Sequence, residues 1–567
     1  MLKHASSTIL VLSLVSVQAP AQERAVPAYS SRQAKIDAIF ADYDKNTSPG
    51  CAVAVYEGDR IAYRKAYGMA NLDHDVRLTP STVFHVASVS KQFTGTAILL
   101  LAQDGKLALD DDIRKYLPEL PDFGTTITIR QLANHTSGIR DQWDLLGLAG
   151  WRYSRDLITD DDVLELLSRQ KALNFTPGER HLYSNSGFTL LAVIVSRVSG
   201  KSFREFTTER IFKPLGMSHT HFRDTFSEIV KNQAYGYAPD RGSFRLSVTN
   251  FDTAGATSLL TTVEDMAKWH ANFDARTVGG EQLQAKLLER GVLSTGTPID
   301  YAFGITHGKY RSLAVVGHGG SDAGYRADFV RFPDRRLGIA TLCNISTANP
   351  GLLSRRVADL FLPSDLPSAT TEPPEDNTPE VPVPEATLKR YAGIYWYQPD
   401  GIARPVIFDA GKLHAVSGRE RIALRPVGGG AFVMTGGPRA RLTIQEEAGE
   451  VQLKPAGSTQ VFVRMDPFAP TADQIAEYAG AYRSDEVDAV FRMSVKDGAL
   501  TLERSKLRPN PLEPLIKDAF RSQPGIVQFT RDGQGRVTGF LLQGNRVKHV
   551  KFWKEPTPPR TTSTPSR

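Results

Sequence analysis

Apolar positions along the chain follow two regimes, and the change between them divides it. Ile36, Ile39, Phe40 and Tyr43 recur at i, i+3, i+4 and i+7 and predict a helix over residues 31–45. The apolar runs 51–56 and 60–64, joined by Glu57-Gly58-Asp59, predict a hairpin. A strongly apolar helix follows over 93–103 and stops at Gly105; another spans 188–198 and stops at Gly200. Ser202-x-x-Glu205 is a capping box opening a helix to Phe212, and Thr262-x-x-Asp265 opens another that carries Met266 and Trp269. Residues 313–317, 325–332 and 337–344 are strand-like, the first two joined by a turn at 321–324. Residues 134–139 are a turn-rich loop, and 141–162 read as a long irregular segment. Its Trp143, Leu145, Leu146, Leu148, Trp151 and Tyr153 either wall a substrate pocket or make the loop's own small core.

Residues 363–385 interrupt this alternation. From Pro363 to Pro384 there are seven prolines, five acidic residues and no Lys or Arg, the composition of a stiff, solvated linker. Beyond it the pattern is that of strands: short runs at 404–408, 412–416, 421–425, 431–435, 441–445, 451–454 and 461–465 are separated by Gly-rich turns. Leu388-Lys-Arg-Tyr-Ala-Gly-Ile-Tyr395 is echoed 87 residues later by Ile475-Ala-Glu-Tyr-Ala-Gly-Ala-Tyr482. In the second copy Phe491, Met493 and Val495 alternate with Arg492, Ser494 and Lys496 before an Asp497-Gly498 turn. Two similar all-β barrels, 386–466 and 472–555, account for this economically. The tail, 556–567, has the composition of a disordered segment.

The first residues belong to neither regime. Lys3 and His4, an apolar run from Thr8 to Val17 and the small residues Ala19-Pro20-Ala21 predict a secretory signal peptide over 1–21. The run is too short to span a bilayer, and no later stretch is long and apolar enough to do so. The expectation is therefore a secreted or periplasmic protein with no integral membrane segment after removal of the signal. Formal net charge is +6, or +5 without Lys3, but the basic residues are dispersed among 62 acidic ones and form no run, so nucleic acid is not an expected partner. Cys51 and Cys343 are too few for a disulfide framework and match no metal-site spacing, which reads as two buried thiols. At 567 residues the chain holds more than one domain.

Three constellations carry chemistry. Ser88 and Lys91 stand three residues apart at the start of the 93–103 helix, on one face, where a hydroxyl can become a nucleophile beside an amine that takes its proton. Tyr183 and Asn185 lie on the loop before the 188–198 helix. A phenol titrates near 10, so its use as a base requires a neighbouring cation, for which Lys91 is the expected source. Finally, His318-Gly319-Gly320-Ser321 ends a strand; two side-chain-free residues allow a substrate to lie along its edge, although a glycine pair is also a common bulge.

In order, S-x-x-K, Y-x-N and H-x-G resemble the penicillin-recognising serine hydrolases, specifically the class C β-lactamase branch with its D-aminopeptidase and esterase relatives. Asn134-His-Thr-Ser-Gly138, Phe175-x-Pro-Gly178, Ile211-Phe-x-Pro-Leu-Gly-Met217, Ala254-Gly-Ala-Thr-Ser258 and Ser321-x-x-Gly324 add to the likeness, which spans roughly residues 36–362. The resemblance implies an α/β catalytic domain over 31–362, an antiparallel sheet beside a helical subdomain, and it likens the barrels to the lipocalin-like domains of D-aminopeptidases. It also implies roles: Ser88 as nucleophile, Lys91 and Tyr183 in proton transfer, Asn185, His318, Gly319, Gly320 and Ser321 against substrate, and the N–H groups of Ser88 and Ser321 as oxyanion hole. His318 stands where β-lactamases and carboxypeptidases usually carry lysine, which argues against strong β-lactamase activity. In the implied fold the strand starting at Cys51 runs antiparallel to the one ending at Cys343, so the two thiols approach one another. The expectation is an exported serine hydrolase forming an acyl-enzyme on D-amino-acid-containing peptides, with no cofactor or metal and a small-molecule or peptide substrate as partner. Alternatives are a carboxylesterase or weak β-lactamase on the same scaffold, or a non-catalytic penicillin-binding sensor. Oligomeric state is not legible.

Overall fold

The computed structural model describes residues 28–367, 378–417, 420–435, 440–447, 449–456 and 460–556. The predicted signal peptide, the middle of the predicted linker and the tail beyond 556 lie outside the described residues.

The first domain is built on a six-stranded antiparallel sheet. Its order is Thr306–Tyr310, Leu313–Asp322, Tyr325–Phe332, Leu337–Cys343, Cys51–Glu57 and Arg60–Tyr67. Cys51–Glu57 is buried on both faces because each face is covered. Ala52, Ala54 and Tyr56 pack into the helical half, whereas Cys51, Val53 and Val55 join Ile36, Phe40 and Val357 of the helices Ala28–Phe40 and Pro350–Ala358. The N- and C-terminal strands of the domain therefore pair in its centre. Cys51 lies directly across from Cys343, with Cα atoms 4.0 Å apart and the sulfurs bonded. The thiols that composition reads as merely buried are thus a disulfide closing a loop with a sequence separation of 292, a constraint typically worth about 2–5 kcal/mol.

The helical half departs from the sequence expectation at Asn185, which opens the helix Asn185–Ser199 and does not lie on the loop before it, and in the segment from Asp141. Asp141 caps a short helix, Gln142–Leu148, within the segment read as irregular, and Thr159 caps a second, Asp160–Ser168. Leu145, Leu146 and Leu148 are core, while Trp143 and Tyr153 pack on Phe251.

Two β domains follow. The first is a closed eight-stranded barrel from Gly393–Tyr397 to Phe462–Met465, and these end strands pair to close it. Residues 378–384, expected to be solvated, are mostly exposed, but they also run along the barrel: Val381 N–H donates to Pro426 O, and Val383 packs on the barrel core. The second is a nine-stranded, nearly closed sheet. The sequence repeat has a structural meaning. In each copy a short helix turns through glycine into a strand, and the strand's tyrosine hydroxyl reaches back to the carbonyl four residues earlier, Tyr395 to Tyr391 at 2.7 Å and Tyr482 to Tyr478 at 2.8 Å. Gly480 sits at φ 146°, a region open only to glycine.

The second β domain packs directly on the helical half, and their apolar residues form one continuous core. Arg140, wholly buried, meets Glu486 at 2.5 Å across this junction. Glu486 also accepts from Lys171 N–H and Lys551 N–H at 2.9 and 3.1 Å.

Candidate active site

Ser88 lies in a single 3-10 turn, Ala87–Ser90, that runs straight into the α-helix Lys91–Gln103. In that turn residues i and i+3 nearly eclipse, which brings the Lys91 amine to 3.0 Å from Ser88 Oγ. Ala87, just before the serine, holds φ at +48°, a strained value for a residue with a Cβ. The turn is pinned from outside: Val86 N–H donates to Leu259 O, and Leu259 N–H donates to Ser90 Oγ.

Lys91 is fully buried, and its Nζ lies 2.9 Å from Asn185 Oδ1 and 2.7 Å from the Ala256 carbonyl in addition to Ser88. Those two oxygens can only accept. When the amine is neutral its two protons go to them, and its lone pair is left facing the Ser88 hydroxyl. Burial lowers Lys91 to about 7, against the opposing pull of the Asp322 and Asp141 carboxylates, so the neutral form is available near neutrality.

Asn185 is held in that orientation by a residue the motifs did not reveal. Asp141 Oδ2 accepts from both the backbone N–H and the side-chain amide of Asn185, at 2.7 and 2.8 Å, while its Oδ1 caps the Gln142–Leu148 helix through Trp143 N–H. Tyr183 lies with its ring 4.9 Å from Lys91 Nζ. Burial pushes its phenol up, and a hydrogen bond with Ser88 pulls only partly back. Tyr183 thus stays protonated at neutral pH: burial outweighs both the Ser88 hydrogen bond and the nearby Arg546 charge, and the expected lowering to a working base is not met.

His318 lines the cleft and, as expected of an imidazole there, is uncharged at neutral pH, but its nitrogens are already taken. Burial, reinforced by the Lys91 charge, lowers it to about 4. Its Nδ1 lies 2.6 Å from Gly319 O, a contact only an N–H can make, so Nε2 carries the lone pair that accepts from Tyr301 OH at 3.0 Å. Both ring nitrogens are engaged within the protein, and the imidazole packs in an aromatic cluster with Tyr183 and Tyr301. The glycines after it serve different ends. A Cβ on Gly320 would stand 2.2 Å from the Val86 carbonyl oxygen, so its bareness lets the strand close on the serine turn; Gly319 faces space, with only Ala327 O at 3.7 Å.

These residues line an open cleft of about 800 Å³ that holds Ser88, Tyr183, Asn185, His318, Gly319, Gly320 and Ser321. Sequence reasoning missed three more of its groups. Asp322 is buried and accepts from His85 Nε2 at 3.0 Å and from the hydroxyls of Thr257 and Tyr153. Burial works to raise its carboxyl, yet these donors, His85 foremost, hold it below the usual range. Arg326 lines the sheet side. Arg546 comes from the second β domain, and its guanidinium lies 4.9 Å over the Tyr183 ring. Among the described residues no three His, Cys, Asp or Glu side chains are grouped as metal ligands would be, and no helix is long and apolar enough to cross a membrane.

A serine turned into a cleft, a buried lysine with its lone pair aimed at that serine, and a protonated tyrosine beside both define a serine hydrolase. The Beta-lactamase family model matches residues 36–362, more than half of the chain, and the chain belongs to that family. It is 29% identical over 402 residues to a penicillin-binding protein of Bacillus subtilis (strain 168), covering 68% of this chain and 87% of that one. It is 27% identical over 533 residues to a D-aminopeptidase of Brucella melitensis, covering 90% and 96%. An octameric penicillin-binding protein homologue from Pyrococcus abyssi shares the fold at 24% identity with a TM-score of 0.52, over 77% of this chain and all of that one.

Proposed function

We propose that this protein is an exported hydrolase of the D-aminopeptidase type, cleaving amide bonds of D-amino-acid-containing peptides through an acyl-enzyme on Ser88. The observation that carries the catalytic part is the three-way setting of Lys91 Nζ, which leaves one valence of the amine for Ser88. In this reading neutral Lys91 takes the Ser88 proton as Oγ attacks the carbonyl carbon. The oxyanion is received by the N–H groups of Ser88 and Ser321. The C–N bond breaks as the Tyr183 phenol supplies a proton to the departing amine and takes in turn the proton held by Lys91, which returns to its neutral form. Water then attacks the ester, its proton passing to the same base, and Ser88 is released with the acid. The substrate class is supported by the D-aminopeptidase relative, whose likeness runs over 90% of this chain and so includes the β domains. Export is supported by the apolar leader at 1–21 and by the Cys51–Cys343 bond, which persists in oxidising compartments.

Incubation with D- and L-aminoacyl amides, short-chain esters and a penicillin, followed by intact-protein mass spectrometry and product assay, tests the substrate class. Turnover of D-aminoacyl amides at least about tenfold above their L enantiomers is expected, with a transient adduct on Ser88. Turnover of esters alone would make the protein a carboxylesterase, and a stable adduct without release would make it a sensor; either sinks the proposal.

The base assignment predicts a pH profile. The reactive form of Lys91 is the neutral one, so kcat/KM rises about tenfold per pH unit below the lysine's value of about 7 and levels off above it. His318, at about 4, contributes nothing to this rise. A profile already flat from pH 5 to 8 would remove Lys91 from the role.

A further inference from the structure

The loop that carries Arg546 joins the last two strands of the second β domain, Val537–Gln543 and Val550–Lys554, and the helical half of the first domain grips it by its backbone. Arg546 N–H donates to Asp144 Oδ2 at 2.8 Å, and Arg546 O accepts from Asn174 Nδ2 at 2.9 Å and Asp141 N–H at 3.2 Å. Lys548 N–H donates to Asn174 Oδ1 at 2.7 Å, and the loop closes on itself through Gly544 N–H to Val547 O. Four bonds from three catalytic-domain residues fix where the Arg546 side chain leaves the loop.

That side chain is not used up by the protein. It makes a long ion pair with Asp141, Nη1 to Oδ2 at 3.8 Å, which is beyond hydrogen-bond reach, and that oxygen already accepts two bonds from Asn185. Among the described residues the guanidinium makes no hydrogen bond, and it is about one-third exposed, lying on the Tyr183 ring and lining the cleft with Ser88. The carboxylates that line the same cleft are already engaged: Asp322 by three donors, Asp328 by Arg355 at 3.0 Å. Position 318 offers no charge and no free nitrogen. A planar fork of unsatisfied donors, held rigidly beside the nucleophile, matches a carboxylate.

We propose that Arg546 is a substrate-recognition residue donated by the second β domain, and that it binds a carboxylate of the substrate, giving this hydrolase a preference for anionic substrates. The proposal rests on Ser88 being the acylated residue and deepens the reading above by naming a charge on the substrate.

The test uses the full chain and two matched pairs: D-alanyl-D-alanine against its carboxamide, and N-succinyl-D-alanine anilide against the N-acetyl anilide. Each compound is measured by turnover and by its protection of Ser88 from a neutral fluorophosphonate, so a compound that binds without reacting still reports. In the wild type the carboxylate member of at least one pair is favoured about tenfold or more; Arg546→Gln lowers that preference about ten- to a hundredfold, and Arg546→Lys restores part of it. Which pair responds says whether the carboxylate lies on the acyl or the leaving side. If Arg546→Gln weakens both members of each pair equally, the guanidinium only supports Tyr183 and the proposal is overturned. Equal preference within both pairs in the wild type overturns it as well. Failure of the fluorophosphonate to label wild-type Ser88 would instead break the acyl-enzyme reading beneath it.

Discussion

Ser88→Ala is expected to lower kcat by about 10⁴-fold or more on any substrate the wild type turns over, with a thermal midpoint within a degree or two of the parent. The size follows from the absence of a substitute. Each power of ten is about 1.4 kcal/mol of barrier, and removing a nucleophile that works as a unit with its base has cost on the order of a millionfold in another serine hydrolase. The stability side follows from the site. Ser88 is only partly buried, and its hydroxyl partners do not depend on it: Lys91 keeps Asn185 and Ala256 when the hydroxyl is gone. Pre-steady-state mixing followed by intact-mass analysis is the decisive measurement: the adduct present in the wild type should be missing in the variant. Retained turnover, or an adduct that persists on another residue, would show that the serine turn is not the reacting centre.

How much of this was readable beforehand divides along the range of the interactions. Ser88, Lys91, Tyr183 and Asn185 announce themselves because the chemistry needs them within a helical turn, or within one loop, of each other. Asp141 did not, although it fixes Asn185: its only local sign is the cap it places on Gln142–Leu148, and that helix, with Trp143 and Gly147 in it, has too little helical pattern to draw attention. Arg546 reaches the cleft across a sequence separation of 402 from the aspartate that grips its backbone, and nothing in the composition of Gly544-Asn545-Arg546-Val547 distinguishes it from any turn. The strand Gly393–Tyr397 was seen as part of a repeat and not as the strand that closes the barrel, because closure pairs it with Phe462–Met465, at the far end of the domain. The cysteines show the same limit. Their pairing follows only once the first and last strands of the sheet are known to be neighbours. For His318 the residue type was legible but its use was not: whether an imidazole faces substrate depends on what occupies its two nitrogens, and Tyr301 and the Gly319 carbonyl occupy both.

If the second β domain supplies part of the cleft, the bond that docks it should matter to both folding and turnover, and Glu486→Ala is expected to destabilise the protein by about 3–5 kcal/mol. The argument is one of stranding. The Arg140 side chain has no exposed surface, and among the described residues its guanidinium reaches, besides Glu486 Oε2, only Gln170 Oε1, at 2.8 Å. Among the described residues its Nε and Nη2 lack partners, so removal of the carboxylate leaves a buried cation with one neutral acceptor. Glu486→Ala also frees the N–H groups of Lys171 and Lys551. The double variant Arg140→Met/Glu486→Leu removes the charge together with its partner and should regain most of the loss, since a buried ion pair replaced by apolar groups of similar volume is often neutral. Activity should separate the two variants from a purely structural effect. Arg140 adjoins Asp141, which holds Asn185, and the loop of Arg546 hangs from the same junction. Below the unfolding transition Glu486→Ala should therefore lose kcat/KM by about tenfold or more while the double variant recovers it. The measurement is urea unfolding of the three proteins alongside kcat/KM at a temperature where all are folded. An Arg140→Met/Glu486→Leu protein as unstable as Glu486→Ala would mean that packing at the junction, not the stranded charge, sets the cost, and unchanged kcat/KM in Glu486→Ala would mean that the β domain's seating is irrelevant to the cleft.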